Sequence, residues 1–594
     1  MQDKPGAWPV PSRALLADKR MSRQPKKRTG DVLVERGIID RDQLAITLTQ
    51  IHAMSERGQP ARIGEVLLKN SFVTPGQVAE AVTVSSGADQ TSLFTQYLPS
   101  HVCKEIKVIP RIAVGTALHV KSWRPLNDQE KAVLLDSASL INGRQATEIV
   151  VEAALQSEIL AGLSNMSAQT LERFGDILDS LKREPENSLL MQKAMDSLFV
   201  DAVHSRASDI HVRRQQDALE CWVAYRVDGE LVQKYLLPGS IAGALTTRIK
   251  TDSGMDSSES RLAQDGRLEI RASGKRLDVR VSARPSEGGE RLVMRLLDPT
   301  SLKSIDELFP SQPGITEKVR ITSKNAGKSG GLMLVSGATG QGKSTSLYAM
   351  LRAMPRHKST ILTCENPVEY RMPFVEQVAY NPAIETSMGN VLRSFLRQDP
   401  DVIIVGETRD EDTAETTLHA AESGHFVATT VHARDALQTF QRFVDMLSEE
   451  HRKDGMLVLA NHLRLIVNQR LGRRVCTCAV DVTQQELDAH EGVLELLGVT
   501  GADLLGKIKM AVGCHKCNHS GYFGRVALAD ALYIPENETL RADMITLLRD
   551  SGSIKAALSL PGVEHFSRID ACRDVMFAGI MDLAAIGRVM GVAH

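Results

Sequence analysis

The chain has little of several features that mark particular classes of protein. Aromatic residues make up only 4% of its 594 residues, so few side chains are available to stack on single-stranded nucleic acid. Lys and Arg number 71 against 73 Asp and Glu, and the resulting net charge of -2 does not supply the positive field of a DNA-binding protein. No apolar run approaches the roughly 18 residues that span a bilayer, and the N-terminus lacks the apolar core of a secretory signal. These absences predict a cytoplasmic protein without a nucleic-acid partner.

Cysteine is also scarce, because 8 residues in this length are too few for a disulfide scaffold. Four of them form two close pairs, Cys476-x-Cys478 and Cys514-x-x-Cys517, which suit tetrahedral Zn²⁺ in a structural site with no open position. The first pair is tight enough to strain ligation by both sulfurs. His515 or His519 would then substitute, and a degenerate site without metal is the other alternative.

A single core stops growing at about 250–300 residues, so the chain must contain several domains. The basic residues of the N-terminal arm indicate either a solvated tail or weak attraction to an anionic membrane surface. The composition and pattern predict a flexible basic arm at 1–29, a small helical first N-terminal adaptor domain at 30–160, a linker at 161–185, a second N-terminal domain at 186–300, and a C-terminal domain at 301–594 with a cysteine module at 474–520.

A weak repeat supports the helical interpretation of the first domain. Gly30–Leu33 (GDVL) recurs in similar form as Gly64–Leu67 (GEVL), 34 residues later. Each copy predicts a short helix, a turn and a second amphipathic helix, with Asp40 or Thr74 as its N-cap. The following segments predict two or three strands at 98–121 and helices at 126–184.

The pattern changes in the second N-terminal domain, where apolar and polar residues alternate as in antiparallel strands. From residue 331 onward it becomes strand, Gly-rich turn and helix, which is typical of α/β proteins. The predicted antiparallel strands are Ala218–Val227, Arg267–Ile270, Leu277–Ala283 and Arg291–Leu297.

A phosphate-binding loop opens the α/β part of the chain. The buried-strand run Gly331–Ser336 leads into Gly337–Ser344 (GATGQGKS), and helix-forming residues follow. This is the G-x-x-x-x-G-K-[ST] loop in its strand–loop–helix context. Its backbone N–H groups cradle phosphates, its Lys places a charge on the β- and γ-phosphates, and its Ser hydroxyl serves Mg²⁺. The predicted ATP-binding residues are Gly337, Gly340, Gly342, Lys343, Ser344 and Thr345.

A second strand supplies an acid. Val402–Val405 is entirely apolar and is followed by Gly406 and Glu407. Strand ends are where an α/β sheet presents its ligand-binding groups. Glu407 is therefore predicted to organise Mg²⁺ or the attacking water.

Several further motifs lie between residue 200 and about residue 535. They are Ala207–His211 (ASDIH), Tyr225–Gly229 (YRVDG), Gln264–Arg267 (QDGR), Asp278–Ser282 (DVRVS), Gly289–Arg291 (GER), Met294–Arg295 (MR), an acidic box at Glu365–Glu369 (ENPVE), Leu396–Asp401 (LRQDPD), Gly406–Asp410 (GETRD), and a histidine box at Ser423–His425 (SGH) and Thr430–His432 (TVH). In their order along the chain, these motifs and the phosphate-binding loop resemble the secretion ATPase family of type II secretion and type IV pilus assembly. The repeat at 30–84 resembles the first N-terminal domain of the family more loosely.

The resemblance implies a multidomain α/β protein with a RecA-like P-loop ATPase core, a PAS-like α+β second N-terminal domain and a small helical first one. It places Glu369, Glu407, His425 and His432 around the nucleotide, and brings Arg280 and Arg295 to the phosphates from the second N-terminal domain. The histidines and arginines also have a structural interpretation, as core or surface residues and strand salt-bridge partners. One departure from the family is Asn366, where an Asp is usual.

The function implied is that of a homohexameric motor that hydrolyses ATP at the cytoplasmic face of the bacterial inner membrane. It would power type IV pilin polymerisation or pseudopilus assembly in type II secretion, with an integral platform protein and a cytoplasmic adaptor as partners. Retraction motors of the family are shorter and lack the cysteine module, which favours assembly. The alternatives are a DNA-translocating ring ATPase of a conjugation-type system, disfavoured by the charge balance, and a non-hydrolysing nucleotide-gated scaffold, motivated by Asn366.

Overall fold

The structure is a computed structural model, and its contacts divide the chain into two units, Met1–Ser164 and Asn165–His594. Residues 1–28, which hold nearly all of the predicted basic arm, lie outside the described residues. The structure describes residues 29–592 except for 57–60, 75–76, 79–80, 82–101, 104–105, 115–116, 138–146, 154–158, 160–173, 215–219, 273–274, 288, 299–301, 382–383, 385–386 and 501–503.

The first unit begins with helices α1 (Thr29–Glu35), α2 (Arg41–Glu56) and α3 (Ile63–Lys69). The side chain of Asp40 accepts a bond from the Gln43 N–H at 2.8 Å, and the Gln43 side chain accepts one from the Asp40 N–H at 2.9 Å. Thr74 and Gln77 make the same reciprocal pair of bonds at 2.8 and 3.2 Å. Such reciprocal caps satisfy amides at the start of a helix, so the two predicted caps are confirmed.

The rest of the first unit contains a small sheet. Strands β1 (Val108–Val114) and β2 (Ala117–Ser122) are antiparallel, β3 (Glu148–Ala153) runs parallel to β2, and α4 (Asp128–Ser137) lies between them in the chain. The prediction of two or three strands at 98–121 is confirmed, but the prediction of helix throughout 126–184 is wrong at β3. Ile-Val-Val within β3 is β-branched and favours a strand once a partner is present. The described part of this unit is therefore α+β.

The second unit begins with an antiparallel sheet in the order β6-β5-β4-β9-β8-β7, which confirms the predicted strands. Phe174, Ile177 and Leu181 of its first helix are buried in one core with the strands. That helix falls in the segment predicted as a linker, 161–185, so the linker prediction is wrong there. The elements are α5 (Phe174–Arg183), α6 (Ser188–His204), β4 (Ala207–Arg214), β5 (Glu220–Val227), β6 (Glu230–Pro238), α7 (Gly239–Asp252), β7 (Gln264–Ala272), β8 (Lys275–Ser286) and β9 (Gly289–Leu297).

The C-terminal part is built on a sheet of order β12-β11-β13-β14-β10-β15-β18-β19, parallel from β12 to β15 and antiparallel beyond. The strands are β10 (Gly331–Ser336), β11 (Ile361–Glu365), β12 (Glu376–Ala379), β13 (Val402–Val405), β14 (Phe426–Val431), β15 (Leu463–Val475), β18 (Tyr522–Tyr533) and β19 (Glu564–Phe566), with a separate pair, β16 (Val480–Asp481) and β17 (Lys509–Met510). The predicted strands β10 and β13 are confirmed with the bounds expected.

Helices cover both faces of this sheet. Leu332 and Leu334 of β10 face one core, while Met333 and Val335 face the other, because alternate residues of a strand point to opposite sides. This three-layer arrangement is compatible with the RecA-like ATPase core expected from the sequence. The helices are α8 (Ile305–Leu308), α9 (Pro313–Asn325), α10 (Lys343–Ala353), α11 (Met388–Phe395), α12 (Glu411–Glu422), α13 (Ala436–Asp445), α14 (Arg452–His462), α15 (Gln484–Ala489), α16 (Glu491–Leu497), α17 (Glu538–Ser551), α18 (Arg568–Phe577) and α19 (Leu583–Met590). Within the described ranges, no helix has the length and apolarity to cross a bilayer.

Candidate functional site

The phosphate loop joins β10 to α10, as its sequence predicts. Gly337, Gly340 and Gly342 have φ values of 147°, 78° and 83°, which favour glycine. A Cβ would lie 2.5 Å from the carbonyl oxygen of Gln469 at Gly337, and 2.7 Å from its Nε2 at Gly342. The backbone angles therefore favour glycine at all three positions, and packing also requires it at Gly337 and Gly342.

Strand β15 holds this loop through side chains that the sequence did not single out. Gln469 donates to the carbonyl of Gln341 at 2.7 Å and accepts a bond from Ser346. Gln341 in turn accepts a bond from the Leu471 N–H at 2.6 Å. Gln469 carries no local signal of this role, because its partners lie more than 100 positions away.

Lys343, Glu407 and His432 come together at the carboxyl edge of the sheet. The Lys343 ammonium donates to the Gly337 carbonyl at 2.8 Å and lies 3.4 Å from Nδ1 of His432. Nε2 of His432 is 2.8 Å from Oε1 of Glu407. The three residues follow the adjacent strands β10, β13 and β14, and carboxyl ends of parallel strands share one edge. The structure thus brings these three predicted residues into one site.

Arg409 completes the charges around Glu407, and the sequence analysis assigned it no role. It donates to Oε2 of Glu407 at 2.6 Å. Burial raises the pKa of Glu407. The Arg409 hydrogen bond and the charges of Arg409, His432 and Lys343 together lower this pKa by more than burial raises it, so the net shift is downward. Burial lowers the pKa of Lys343, against the opposing charge of Glu407. The site therefore holds a carboxylate anion beside its cations at neutral pH.

The acidic box follows β11 at the same edge. Its first acid, Glu365, is 8% exposed and accepts bonds from Tyr348, from Thr363 at 2.7 Å and from Gln377 at 3.0 Å. Because three protein donors already bind its carboxylate, Glu365 has a structural role in holding the acidic box. Glu369, the other acid, interacts electrostatically with Arg280.

The two predicted arginines have different partners. Arg280 on β8 donates to the Val368 carbonyl at 2.5 Å, which joins the second N-terminal domain to the acidic box. Burial lowers the pKa of Arg280, and the Glu369 charge opposes this shift. Arg295 instead donates to Asp209 at 3.0 Å on the neighbouring strand of its own sheet. Arg280 therefore hydrogen-bonds to the nucleotide domain, whereas the hydrogen bond of Arg295 lies within its own domain, although the charge of Glu369 acts on Arg295 too.

A hairpin tip between β5 and β6 makes a second contact between these domains. Asp228 accepts a bond from the Gly524 N–H at 2.9 Å and pairs with Arg206 at 2.9 Å. The Arg206 guanidinium lies 3.8 Å from the centre of the Phe523 ring. The second N-terminal domain therefore contacts the start of strand β18, which begins just after the cysteine module.

His425 lies at the other edge of the sheet, so the structure does not bring it together with Lys343, Glu407 and His432 as predicted. It precedes β14, whereas His432 follows it, and the six residues of β14 separate them by about 20 Å. Its carbonyl accepts a bond from the Gly331 N–H at 3.1 Å, at the start of β10. Its Nδ1 is 2.9 Å from the Ala420 carbonyl, which places the ring over the end of α12.

The four predicted metal ligands converge. All four sulfurs of Cys476, Cys478, Cys514 and Cys517 lie within 4.8 Å of one another. The tight Cys-x-Cys spacing therefore does not prevent a four-sulfur set, and substitution by His515 or His519 is unnecessary. Burial raises the pKa of Cys517, but hydrogen bonds from the Cys514 and Gly521 backbone outweigh it and lower the pKa to about 7. Burial raises the pKa of Cys476, and that of Cys478 to about 12, so only part of the cluster favours the thiolate that metals bind.

Together, the phosphate loop, the strand-end carboxylate and the arginine from a separate domain define a P-loop nucleotide-binding protein. The chain belongs to the family described as type II/IV secretion system protein, whose model matches residues 184–555. It is thus a member of a family of secretion and pilus ATPases.

Several relatives extend this match over most of the chain. The chain is 32% identical to the type IV pilus assembly ATPase PilB of Myxococcus xanthus, covering 85% of this chain and 89% of that protein. It is 30% identical to PilB of Acinetobacter baylyi, with coverages of 95% and 97%. It is 34% identical to type II secretion system protein E of Pectobacterium carotovorum, with coverages of 70% and 79%.

Among solved structures, the chain is similar to the Legionella pneumophila ATPase DotB, with 21% identity, a TM-score of 0.48 and coverages of 67% and 95%. It is similar to the pilus retraction motor PilT with bound ADP, with 22% identity, a TM-score of 0.43 and coverages of 66% and 95%.

Proposed function

We propose that this chain is an ATP-hydrolysing motor that powers assembly of a type IV pilus or of a type II secretion pseudopilus. The observation that carries the proposal is the meeting of Lys343, Glu407 and His432 at one sheet edge, with Arg280 reaching the acidic box of that edge from another domain. The relatives that cover 85% and 95% of the chain are pilus assembly ATPases. Pilus assembly is therefore the first process to test.

The site suits phosphoryl transfer to water, which depends on positioning and charge stabilisation. The loop amides and Lys343 would bind the β- and γ-phosphates, and Glu407 would orient the attacking water. Ser344 and Glu407 would hold Mg²⁺, which would neutralise charge on the phosphate oxygens. His432 would donate a hydrogen bond from a ring N–H to the developing charge.

Arg280 would couple hydrolysis to movement. A guanidinium spreads phosphoryl charge well, and this one is carried by a different domain from Lys343. Catalysis would then require the second N-terminal domain to be docked, so each turnover would be linked to a change in domain position. Arg295 would join the phosphates only after release from Asp209. His425 has no role in the nucleotide site of its own subunit.

The assembly we propose is a homohexameric ring, peripheral to the cytoplasmic face of the bacterial inner membrane. Its partners would be an integral platform protein and a cytoplasmic adaptor. The names of the relatives, which are pilus assembly and type II secretion proteins, support this placement. Mass determination of the purified chain with nucleotide should give six copies, and a monomer at all concentrations would contradict the ring.

We also propose that the four cysteines hold one structural Zn²⁺, because four thiolates close a tetrahedral site. Metal analysis of the purified chain should find about one zinc per chain, and Cys514→Ser should lose it and lower the melting temperature. A purified chain that contains no zinc and whose melting temperature does not rise when Zn²⁺ is added would contradict this site.

The decisive experiment measures MgATP turnover by the purified chain and by Lys343→Ala and Glu407→Gln. We expect wild-type turnover, loss of nucleotide binding in Lys343→Ala, and nucleotide binding without turnover in Glu407→Gln. Equal inactivity of all three, with nucleotide bound by the wild type, would support the scaffold alternative. Strong stimulation by DNA, with a steep salt dependence, would support DNA translocation.

A further inference from the structure

The segment that follows His432 is held by buried side chains for which the proposed function gives no role. Residues 433–436 connect β14 to α13, and three of their backbone groups bond to side chains from three other elements. The contacts are Asn468 Nδ2 to the Ala433 carbonyl at 3.0 Å, Arg568 Nη1 to the Arg434 carbonyl at 3.2 Å, and the Ala436 N–H to Oδ1 of Asp530 at 3.0 Å.

These three side chains are buried and connected. Asn468 is 0% exposed, Arg568 5% and Asp530 9%. Arg568 also donates to Oδ1 of Asn468, and its backbone N–H is 3.5 Å from Oδ2 of Asp530. Among the described residues, Nε of Arg568 is buried without a hydrogen-bond partner, while the other groups named here are paired. The paired groups favour one geometry, because a displacement would leave further buried polar groups unpaired.

The same network reaches the phosphate loop. Nδ2 of Asn468 donates to Oγ of Ser336 at 2.8 Å, in addition to the Ala433 carbonyl. Ser336 is the last residue of β10 and immediately precedes Gly337. One amide therefore bonds both to the strand that leads into the phosphate loop and to the segment that follows His432.

We propose that Asn468, supported by Arg568, is a positioning residue that fixes His432 relative to Lys343. The inference rests on the proposed function, since it assumes that His432 acts on bound nucleotide. His432 lies 3.4 Å from Lys343 and 2.8 Å from Glu407, and its backbone continues directly into the clamped segment. Small misplacements of a reacting or stabilising group have large effects on rate, so the network should act on turnover rather than on nucleotide binding.

The chain offers a matched control. Gln312 is also a buried amide side chain, 8% exposed, and it makes two backbone hydrogen bonds to Ala529, at 3.0 and 2.8 Å. It immediately precedes α9, which packs on the opposite face of the sheet from α13. Its removal costs two buried hydrogen bonds, against three for Asn468, and it makes no bond to residues 433–436.

The experiment compares Asn468→Ala and Gln312→Ala in the full chain. Both should lower the melting temperature, because each loses a buried amide. Only Asn468→Ala should lower kcat, by about tenfold with KM changed less than about twofold, and only it should accelerate amide hydrogen exchange at 432–436. Asn468→Asp serves as a second variant if the alanine variant does not fold, since it keeps the oxygen that Arg568 binds but loses the donor to Ala433.

The outcomes separate this inference from the proposed function. Equal kcat and equal exchange at 432–436 in Asn468→Ala and Gln312→Ala would overturn the positioning role even if the wild type is an active ATPase. A wild type without turnover would overturn the proposed function, and the exchange measurement would still show whether Asn468 holds the segment.

Discussion

The carboxyl and amino edges of the large sheet differ in what the chain places there. At the carboxyl edge, the segments after β10, β13 and β14 bring Lys343, Glu407 and His432 together. At the amino edge, His425 bonds to the end of α12 and to the start of β10 through ordinary structural contacts. The two histidines belong to one sequence motif but flank the same strand. Motif membership therefore does not assign a residue to the site; its position before or after the strand does.

The largest effect should come from the arginine that another domain brings to the carboxyl edge. Arg280→Ala should lower kcat by about 1,000-fold, at the lower end of the range of arginine fingers, because Arg280 donates directly to the backbone of the acidic box. Nucleotide affinity should change little, since the phosphate loop is intact. Single-turnover hydrolysis and nucleotide binding measure the two effects separately.

Two further variants sharpen this result. Arg295→Ala should have a smaller effect on kcat, because Asp209 already binds that side chain. Arg248→Ala removes an exposed arginine of the same domain that pairs with Asp252, and should behave as the wild type. Equal losses in Arg280→Ala and Arg295→Ala would show that both arginines reach the phosphates during turnover.

The next effect tests the two histidines directly. His432→Ala should lower kcat by about 10- to 100-fold, since it removes a hydrogen-bond donor from the reacting edge. His425→Ala should leave kcat within about twofold and lower the free energy of unfolding by about 1 kcal/mol, the usual value of one hydrogen bond. Turnover and thermal unfolding of both variants are the measurements. A large kcat loss in His425→Ala would show that the amino edge contributes to a site in a neighbouring subunit.

A smaller effect should follow from loosening the hairpin that docks the second N-terminal domain. Asp228→Ala removes the acceptor of the Gly524 N–H and the partner of Arg206, and should lower kcat by a few-fold through less frequent docking of Arg280. Added salt should reduce wild-type kcat in the same direction. Asp252→Asn, at an exposed ion pair of the same domain, is the control. Identical kcat values for the two variants would show that the hairpin does not limit docking.

The parts of the site that could be predicted from sequence are those fixed by local chemistry. Gly337, Gly340 and Gly342 have the positive φ values that their spacing indicates, and β13 ends where its apolar run ends, at Val405. These features depend on neighbours in the chain.

The parts that were missed depend on distant partners. Gln469 holds a loop more than 100 positions away, and Asp228 meets Gly524 across 296 positions. His425 precedes β14 and His432 follows it, which places them at opposite edges of the sheet. The sequence motif contains both histidines and does not distinguish these two positions. Ordinary polar residues of this kind become recognisable only when the sheet order is known.

The smallest effect tests the support beneath the carboxyl edge, where Asp530 binds the start of α13. The hydrogen bond from His565 to Asp530 raises the pKa of that histidine above 6.5, although burial opposes it. A raised folded-state pKa means that this contribution to stability is fully present below pH 6.5 and is lost as pH rises through the folded value. The wild type should therefore lose about 1–3 °C of melting temperature relative to His565→Gln between about pH 6 and about pH 8. If the melting temperatures of the two proteins changed equally with pH across that range, the His565–Asp530 pair would not titrate there.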